Sequence, residues 1–375
     1  MISPFPSRAT PVIGCRESGT LLSWLLDGPA QISRGPHAGA VAGCVDLAGN
    51  AIYVYPEIAG YYLQWLVWRA RTGVDPAMLA VRAAGAKRWL GVWLADREPP
   101  RTRIHLDHSA DWRNDALFFF DLAMVLRGLA SATREGLLTH DAVLVTKVVR
   151  HLEYLIAPDG LFDACREIDP GIPTPERWST RRGAFLAKAA AGVIVAARAF
   201  PALPECVERA ALATFDASVD ALFERPHSQL HPMLYAFEGI LSLPGHPRFR
   251  AILPELADRF DILLGSMDTK GWLPETLTSC PERRGPARVD VVAQALRVGC
   301  LLERHRRPGT GDQVTLARLR QLLERAVQSS GAVPFTAGTA VTYWNTWAAM
   351  FADQALAFAG NDHREFDALA DPLLI

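Results

Sequence analysis

The sequence has almost no net charge and no long apolar run. Its 39 lysines and arginines nearly balance 40 aspartates and glutamates, which gives a formal net charge of −1. A chain without excess positive charge lacks the electrostatic footprint of nucleic-acid binding. No 18 consecutive residues are apolar, so we expect no transmembrane helix and no membrane partner. The first twenty residues have no apolar run behind a basic start, so we expect no secretory signal.

Cysteine pairs and the common catalytic motifs are also missing. The six cysteines are scattered without a Cys-x-x-Cys pair, which favours a reduced chain in the cytoplasm. The sequence contains no Gly-x-Ser-x-Gly, P-loop or Gly-x-Gly-x-x-Gly motif, and no Asp-rich cluster of isoprenoid cyclases. His105-Leu106-Asp107-His108 is an isolated metal-ligand pattern. We therefore expect no metal and no cofactor.

Half of the residues are hydrophobic, and they recur with helical spacing along most of the chain. The best strand-like run is AIYVY at 51–55. Helices with one charged and one apolar face are typical of a protein surface. These outer helices are Gly19 to Asp27, Pro76 to Asp96, His140 to Ala157, Leu203 to Arg225, Arg250 to Met267 and Asp312 to Ser329. Helices that are apolar nearly all round must be enclosed by others. These inner helices are Tyr55 to Arg71, Asn114 to Ala132, Arg181 to Phe200, His231 to Leu243, Arg288 to His305 and Tyr343 to Ala359.

The two kinds of helix alternate six times. The inner helices begin at intervals of 59, 67, 50, 57 and 55 residues, which indicates a helical-hairpin repeat of roughly 57 residues. We predict an all-α fold, an (α/α)6 barrel (toroid) of six helical hairpins. It would form a single domain over residues 1–375, with an irregular segment at 1–17. An open solenoid is the alternative, but it would leave one apolar face of each inner helix in water.

Polar residues concentrate at the beginnings of the inner helices. Parallel inner helices would bring these residues to one mouth, and His231, Tyr235 and Glu238 share one helix face. The candidate acid–base residues are Glu57, Asp121, His231, Tyr235, Glu238 and Asp290. The candidate substrate-binding residues are Tyr61, Trp112, Trp178, Arg181, Arg182, Trp272, Arg288, Gln294, Tyr343, Trp344 and Asn345. Trp65 and Trp347 lie inside helices and are assigned to the core.

Each candidate also has a purely structural interpretation. Asp115, Asp290 and Asn345 could be helix caps. Asp121 and Glu238 lie about two turns into apolar helices, where a carboxylate needs a cavity or an ion-pair partner, and Arg127 or Arg297 could supply one.

Two kinds of chemistry fit the predicted mouth. Two carboxyl groups across a sugar ring suit glycoside cleavage. A tyrosine and a histidine, with an arginine that holds a carboxylate, suit proton abstraction next to a uronate or a carbonyl.

The phrases of the inner helices resemble a known family. They are YPEIAGY (55–61), FFDLAMVLRGL (119–129), LHPMLYAFEGIL (230–241), VVAQALRVGCLL (291–302) and YWNTWAAMFADQAL (343–356). Together, over about 300 residues, they resemble bacterial six-hairpin toroid proteins of polysaccharide biosynthesis. More distantly, they resemble N-acylglucosamine 2-epimerases, unsaturated glucuronyl hydrolases and polysaccharide lyases. In such relatives the second phrase usually contains Asp-Thr-Gly. Here the corresponding residues are Asp121, Leu122 and Ala123.

The resemblance implies a toroid with a sugar-sized cavity, and many reactions use this fold. The leading hypothesis is a carbohydrate-active enzyme, a hydrolase, lyase or epimerase, with a small-molecule or oligosaccharide substrate. The alternatives are a non-catalytic toroid that binds a glycan or a partner protein, and a tailoring enzyme of specialised metabolism.

Overall fold

The computed structural model describes residues 15–169, 171–224, 229–278, 285–305, 313–338, 340–360 and 374–375. In these residues the two predicted kinds of helix alternate. The outer helices are α1 (Cys15–Leu26), α3 (Pro76–Asp96), α5 (Ala142–Tyr154), α7 (Glu205–Glu224), α9 (Phe249–Leu264) and α11 (Gln313–Ala326). The inner helices are α2 (Pro56–Arg71), α4 (Phe119–Arg134), α6 (Leu186–Ala199), α8 (Leu230–Leu241), α10 (Val289–His305) and α12 (Thr346–Gly360). None of the helices in these ranges combines the length and the apolar character needed to span a bilayer.

The inner helices form a closed ring. Each one packs against the next inner helix along the chain, and α12 packs against α2. Each inner helix also contacts the outer helix that follows it, and α12 contacts α1. The predicted (α/α)6 toroid is therefore confirmed, and the open solenoid is not formed.

Glycines allow the inner helices to approach one another closely. A Cβ atom on Gly60 of α2 would lie 2.4 Å from the Met124 carbonyl oxygen of α4. A Cβ atom on Gly128 of α4 would lie 2.5 Å from the Gly60 carbonyl oxygen. Because backbone atoms cannot move aside as a side chain can, these two positions exclude any larger residue.

Short strands lie at the end of the ring where the inner helices begin. The strands β1 (Ala42–Asp46), β2 (Ala51–Val54), β3 (Ile104–His105) and β6 (Tyr343–Asn345) form an antiparallel sheet in the order β3-β2-β1-β6. The strand β4 (Ala116–Phe118) pairs with β5 (Cys165–Glu167). The strand predicted from AIYVY corresponds to β2. Because β2, β4 and β6 lead directly into α2, α4 and α12, the two sheets border the mouth of the ring.

Three inner helices begin later than the sequence predicted. α4 begins at Phe119 rather than Asn114, α6 at Leu186 rather than Arg181, and α12 at Thr346 rather than Tyr343. The residues before α4 and α12 belong to a 3₁₀ turn at 112–115, to β4 and to β6, whereas residues 181–185 form a bend and a turn that follow the 3₁₀ turn at 178–180. Strand pairing satisfies backbone groups in β4 and β6 that the predicted helices would have paired internally. At the other end of the chain α1 begins at Cys15, so residues 15–17 of the predicted irregular segment are helical. Residues 1–14 lie outside the described ranges.

Candidate active site

A cavity of about 510 Å³ opens at the end of the ring where the inner helices begin. Residues at or directly before the beginning of all six inner helices line it, so these ends converge as the sequence predicted. The wall includes Glu57 and Ile58 of α2, Phe120 and Asp121 of α4, Phe185 before α6, His231 and Tyr235 of α8, Arg288 before α10, and Trp347 of α12. Seven predicted site residues line the cavity: Glu57, Asp121, Trp178, His231, Tyr235, Arg288 and Tyr343.

Two carboxyl groups in this wall resist ionisation. Burial raises the pKa of Glu57. Burial also raises the pKa of Asp121 well above its ordinary value, and the nearby charge of Glu57 raises it further. The Tyr55 hydroxyl donates a hydrogen bond to Asp121 Oδ1 over 3.1 Å. Because each negative charge opposes the other, the pair retains a proton at a pH where exposed carboxyl groups have lost theirs.

His231 places an uncharged imidazole in the same cavity. Burial lowers the pKa of His231 to about 4, and the positive charge of Arg288 contributes to this decrease. The ring lies against Tyr235, with ring centroids 4.3 Å apart, and 6.0 Å from the Trp178 ring. Its Nδ1 lies 2.7 Å from Gln294 Oε1. Near neutral pH this imidazole is therefore uncharged, and one of its nitrogens carries a lone pair that can accept a proton from a substrate.

Asp290 supports the cavity wall from behind. Arg288 donates to both of its oxygens, over 3.1 Å from Nε and 2.6 Å from Nη2. The Trp347 indole N–H donates to Asp290 Oδ2 over 3.0 Å. Burial opposes ionisation of Asp290, but Arg288 lowers its pKa below the ordinary value. Asp290 therefore holds two wall residues in place. Trp347, which was assigned to the core, packs against the core and also lines the cavity, and Trp65 is fully buried as predicted.

Other predicted residues form a layer beneath the cavity. Glu238 is fully buried, accepts a hydrogen bond from Lys188 Nζ over 2.7 Å and pairs with Arg297. Burial alone would raise the pKa of Glu238, but Arg297 and Lys188 lower it. Gln294 donates to Glu238 over 3.3 Å. The Tyr61 ring lies 4.7 Å from Lys188 Nζ. The structure thus places Glu238 in an ion-pair cluster.

The remaining predicted residues lie outside the cavity wall. Asn345 caps α12, since its Oδ1 accepts from the Ala348 N–H over 2.8 Å. Arg181 pairs with Glu176 at the surface, and Arg182 pairs with Asp159 and Asp163. Trp112 lies beside the Arg113 and Arg177 guanidinium groups, and Trp272 and Trp344 pack against the core.

Five cavity residues near the sheet were not among the predicted site residues: Tyr53, Tyr55, Arg103, His105 and Arg113. The Arg103 guanidinium carbon lies 4.3 Å from the Tyr53 ring centroid and 5.2 Å from that of Tyr55. Its Nε is buried and has no hydrogen-bond partner in the described part of the chain. Strand β2 was predicted, but no local pattern indicated its pairing with β3.

The described residues contain no group of three or more histidine, cysteine, aspartate or glutamate side chains placed to hold a metal ion. In the isolated histidine motif, His105 Nε2 instead lies 3.2 Å from Asp111 Oδ2.

Comparison with known proteins supports the fold. No protein-family model matches the chain, and no curated protein sequence is significantly similar to it. The fold is similar to that of a D-mannose isomerase, with a TM-score of 0.68 and 14% identity over 91% of this chain and 96% of the other. An unsaturated glucuronyl hydrolase specific for heparin gives 0.63 and 11%, over 92% and 95%. A cellobiose 2-epimerase from Spirochaeta thermophila gives 0.63 and 15%, over 94% and 97%. At these identities the likeness establishes that the chain has the (α/α)6 toroid fold.

Proposed function

We propose that this protein is an enzyme that acts on a sugar or a uronate by proton transfer in the cavity. The proposal rests on one observation. Two carboxyl groups of raised pKa, those of Glu57 and Asp121, line the same cavity as the neutral imidazole of His231. A protonated carboxyl group can donate a proton at the same pH at which a neutral imidazole accepts one. Hydrolysis, elimination and epimerisation of sugars all use such acid–base groups.

The proposed roles follow from the environment of each group. Asp121 is the acid, because both burial and the Glu57 charge favour its protonated form. Glu57 is the partner carboxyl group that keeps Asp121 protonated and can itself accept a proton. His231 is the base, because its imidazole is uncharged and lines the cavity.

The shape and lining of the cavity support a carbohydrate substrate. A volume of about 510 Å³ falls within the range of small-molecule sites. Trp178, Tyr343 and Trp347 supply aromatic surface on which a sugar ring can pack. Arg103 pairs with Asp111 through Nη1, and its unpartnered Nε supplies a charged N–H donor that suits the carboxylate of a uronate.

Two further observations support the proposal. Solved structures of the same fold include an isomerase, an epimerase and a hydrolase whose names identify sugar substrates. Cys44, Cys165, Cys206 and Cys300 are free thiols, which is in keeping with a reducing, cytoplasmic location.

The test incubates the wild-type protein with a panel of mono- and disaccharides, uronates and unsaturated uronates, in deuterated water, and follows each by NMR. Cleavage produces a new reducing end, elimination produces a double bond, and epimerisation places deuterium on carbon.

Variants then test the assigned roles. Asp121→Asn and His231→Ala should each lower the observed turnover by about 10²-fold or more, the usual contribution of an acid or base. Arg181→Ala is the control, because Arg181 pairs with Glu176 at the surface and should leave turnover unchanged. Full activity in both cavity variants would reject the assignment. Tight sugar binding without turnover of any compound would favour the non-catalytic binding toroid.

A further inference from the structure

Three buried side chains connect the ion-pair cluster to the cavity. Glu238 Oε2 lies 3.3 Å from Gln294 Nε2, and Gln294 Oε1 lies 2.7 Å from His231 Nδ1. Glu238 and Gln294 are fully buried, and His231 is 6% exposed. Two successive contacts through Gln294 therefore connect Glu238 of the ion-pair cluster to the His231 imidazole in the cavity wall.

We propose that Glu238 and Gln294 are positioning residues that fix the tautomer of His231, with the proton on Nδ1 and the lone pair on Nε2. This inference rests on the proposed function only in naming His231 as the base, since the tautomer itself is a property of the free protein.

The orientation of the Gln294 amide follows from the charge of Glu238. Lys188 and Arg297 both bind the Glu238 carboxylate. An ionised carboxylate has no hydrogen to donate, so it accepts only from the NH₂ group of Gln294. The reversed amide would place two acceptor oxygens against each other. The carbonyl oxygen of Gln294 must therefore face His231.

The orientation of the amide in turn fixes the imidazole. A carbonyl oxygen 2.7 Å from Nδ1 requires the hydrogen to be on Nδ1. Asp290 Oδ2, 3.7 Å from the same nitrogen, is too far away for a hydrogen bond, but its negative charge favours the hydrogen on that side of the ring.

The other nitrogen is then left for the substrate. In the part of the chain that the structure describes, no residue forms a hydrogen bond with Nε2 of His231, and the ring lines the cavity. The opposite tautomer would present an N–H group there, which cannot accept a proton. Two residues that need not touch a substrate thus decide whether His231 can act as a base.

The test measures the tautomer directly by NMR of protein labelled with ¹⁵N-histidine. His231→Ala identifies the resonances of His231 among the ten histidines. The wild-type protein should show Nδ1 in the range of protonated nitrogens and Nε2 in the range of unprotonated ones. Gln294→Leu removes the acceptor and should shift both resonances toward a mixture of tautomers. Gln294→Glu, protonated beside Glu238, keeps a donor and an acceptor in the same places and should preserve the wild-type pattern.

Gln64→Leu is the matched control. Gln64 is a fully buried amide on α2 that donates to the Gly60 carbonyl oxygen rather than to His231, so its loss should leave the His231 signals unchanged. A wild-type spectrum with Nε2 protonated would overturn the inference, even if no variant folds. Unchanged His231 signals in Gln294→Leu would overturn it as well. The expected spectrum in a protein that converts no sugar would reject the proposed function and leave this inference standing.

Discussion

Asp121 shows how one residue links stability to chemistry. In the unfolded chain the pKa of Asp121 is near the ordinary 3.8. In the folded protein this pKa is well above that value, so Asp121 stays protonated at pH values at which it is ionised in the unfolded chain. The unfolded state then binds fewer protons, so the free energy of unfolding decreases as the pH rises above about 4. Asp121→Asn removes this decrease, because the amide is neutral and its oxygen can still accept from Tyr55.

We therefore expect Asp121→Asn to be more stable than the wild type at pH 7, while its activity falls by about 10²-fold or more. Urea unfolding at pH 4 and pH 7 measures the first effect. An asparagine variant that is less stable than the wild type at pH 7 would show that the carboxyl group is ionised in the folded protein.

Glu238 shows the opposite arrangement, a carboxylate held ionised in the core. Glu238→Gln leaves the charges of Lys188 and Arg297 without their partner, and breaking such a buried pair costs about 3–5 kcal/mol. The double variant Glu238→Gln, Lys188→Met removes one of the two uncompensated charges and should recover part of this loss. Denaturant unfolding of the single and double variants measures the coupling. If Glu238→Gln were as stable as the wild type, the ion pairs of Glu238 would contribute nothing to the free energy of unfolding.

At the scale of elements, the close packing of α2 against α4 depends on the absence of a side chain at Gly60. Gly60→Ala should destabilise the protein by about 1–3 kcal/mol, because its Cβ would meet the Met124 carbonyl group of α4. Gly91→Ala, in the middle of α3 with no atom within 4 Å of the added methyl group, should instead stabilise it by about 0.5–1 kcal/mol. Thermal or urea unfolding of both variants tests this contrast, and a stable Gly60→Ala protein would contradict the close approach of α2 and α4.

The elements also show what local sequence can and cannot predict. Apolar residues around the whole circumference indicated the inner helices, because burial on every side leaves that pattern in each segment. The beginnings of α4 and α12 were predicted too early, because their preceding residues pair with strands that lie far away in the chain. Cys44 in β1, for example, pairs with Asn345 in β6. The pairing of β2 with β3 likewise brings Tyr53, and Arg103 directly before β3, to the cavity, so no local pattern indicated them.

At the scale of the whole molecule, the ring is closed by contacts between α2 and α12. Arg69 of α2 forms a buried salt bridge with Asp353 of α12, and the Trp65 indole N–H donates to Asp353 over 2.8 Å. The burial that raises the pKa of Asp353 is opposed by the Arg69 charge. Repeats that contact only their neighbours in a row can lose a terminal unit alone, whereas each hairpin of a ring has a neighbour on both sides.

Arg69→Met should therefore weaken the whole ring. It leaves the Asp353 carboxyl group buried without its cation, a change that costs about 3–5 kcal/mol in comparable pairs. In a closed ring, amide hydrogen exchange should accelerate in α6 and α8, on the far side from the seam, as well as in α2 and α12. The double variant Arg69→Met, Asp353→Leu replaces the pair with apolar groups and should restore much of the protection. Faster exchange confined to α1, α2, α11 and α12 would mean that the hairpins behave as an open row and that the α2–α12 contact contributes little to the stability of the ring.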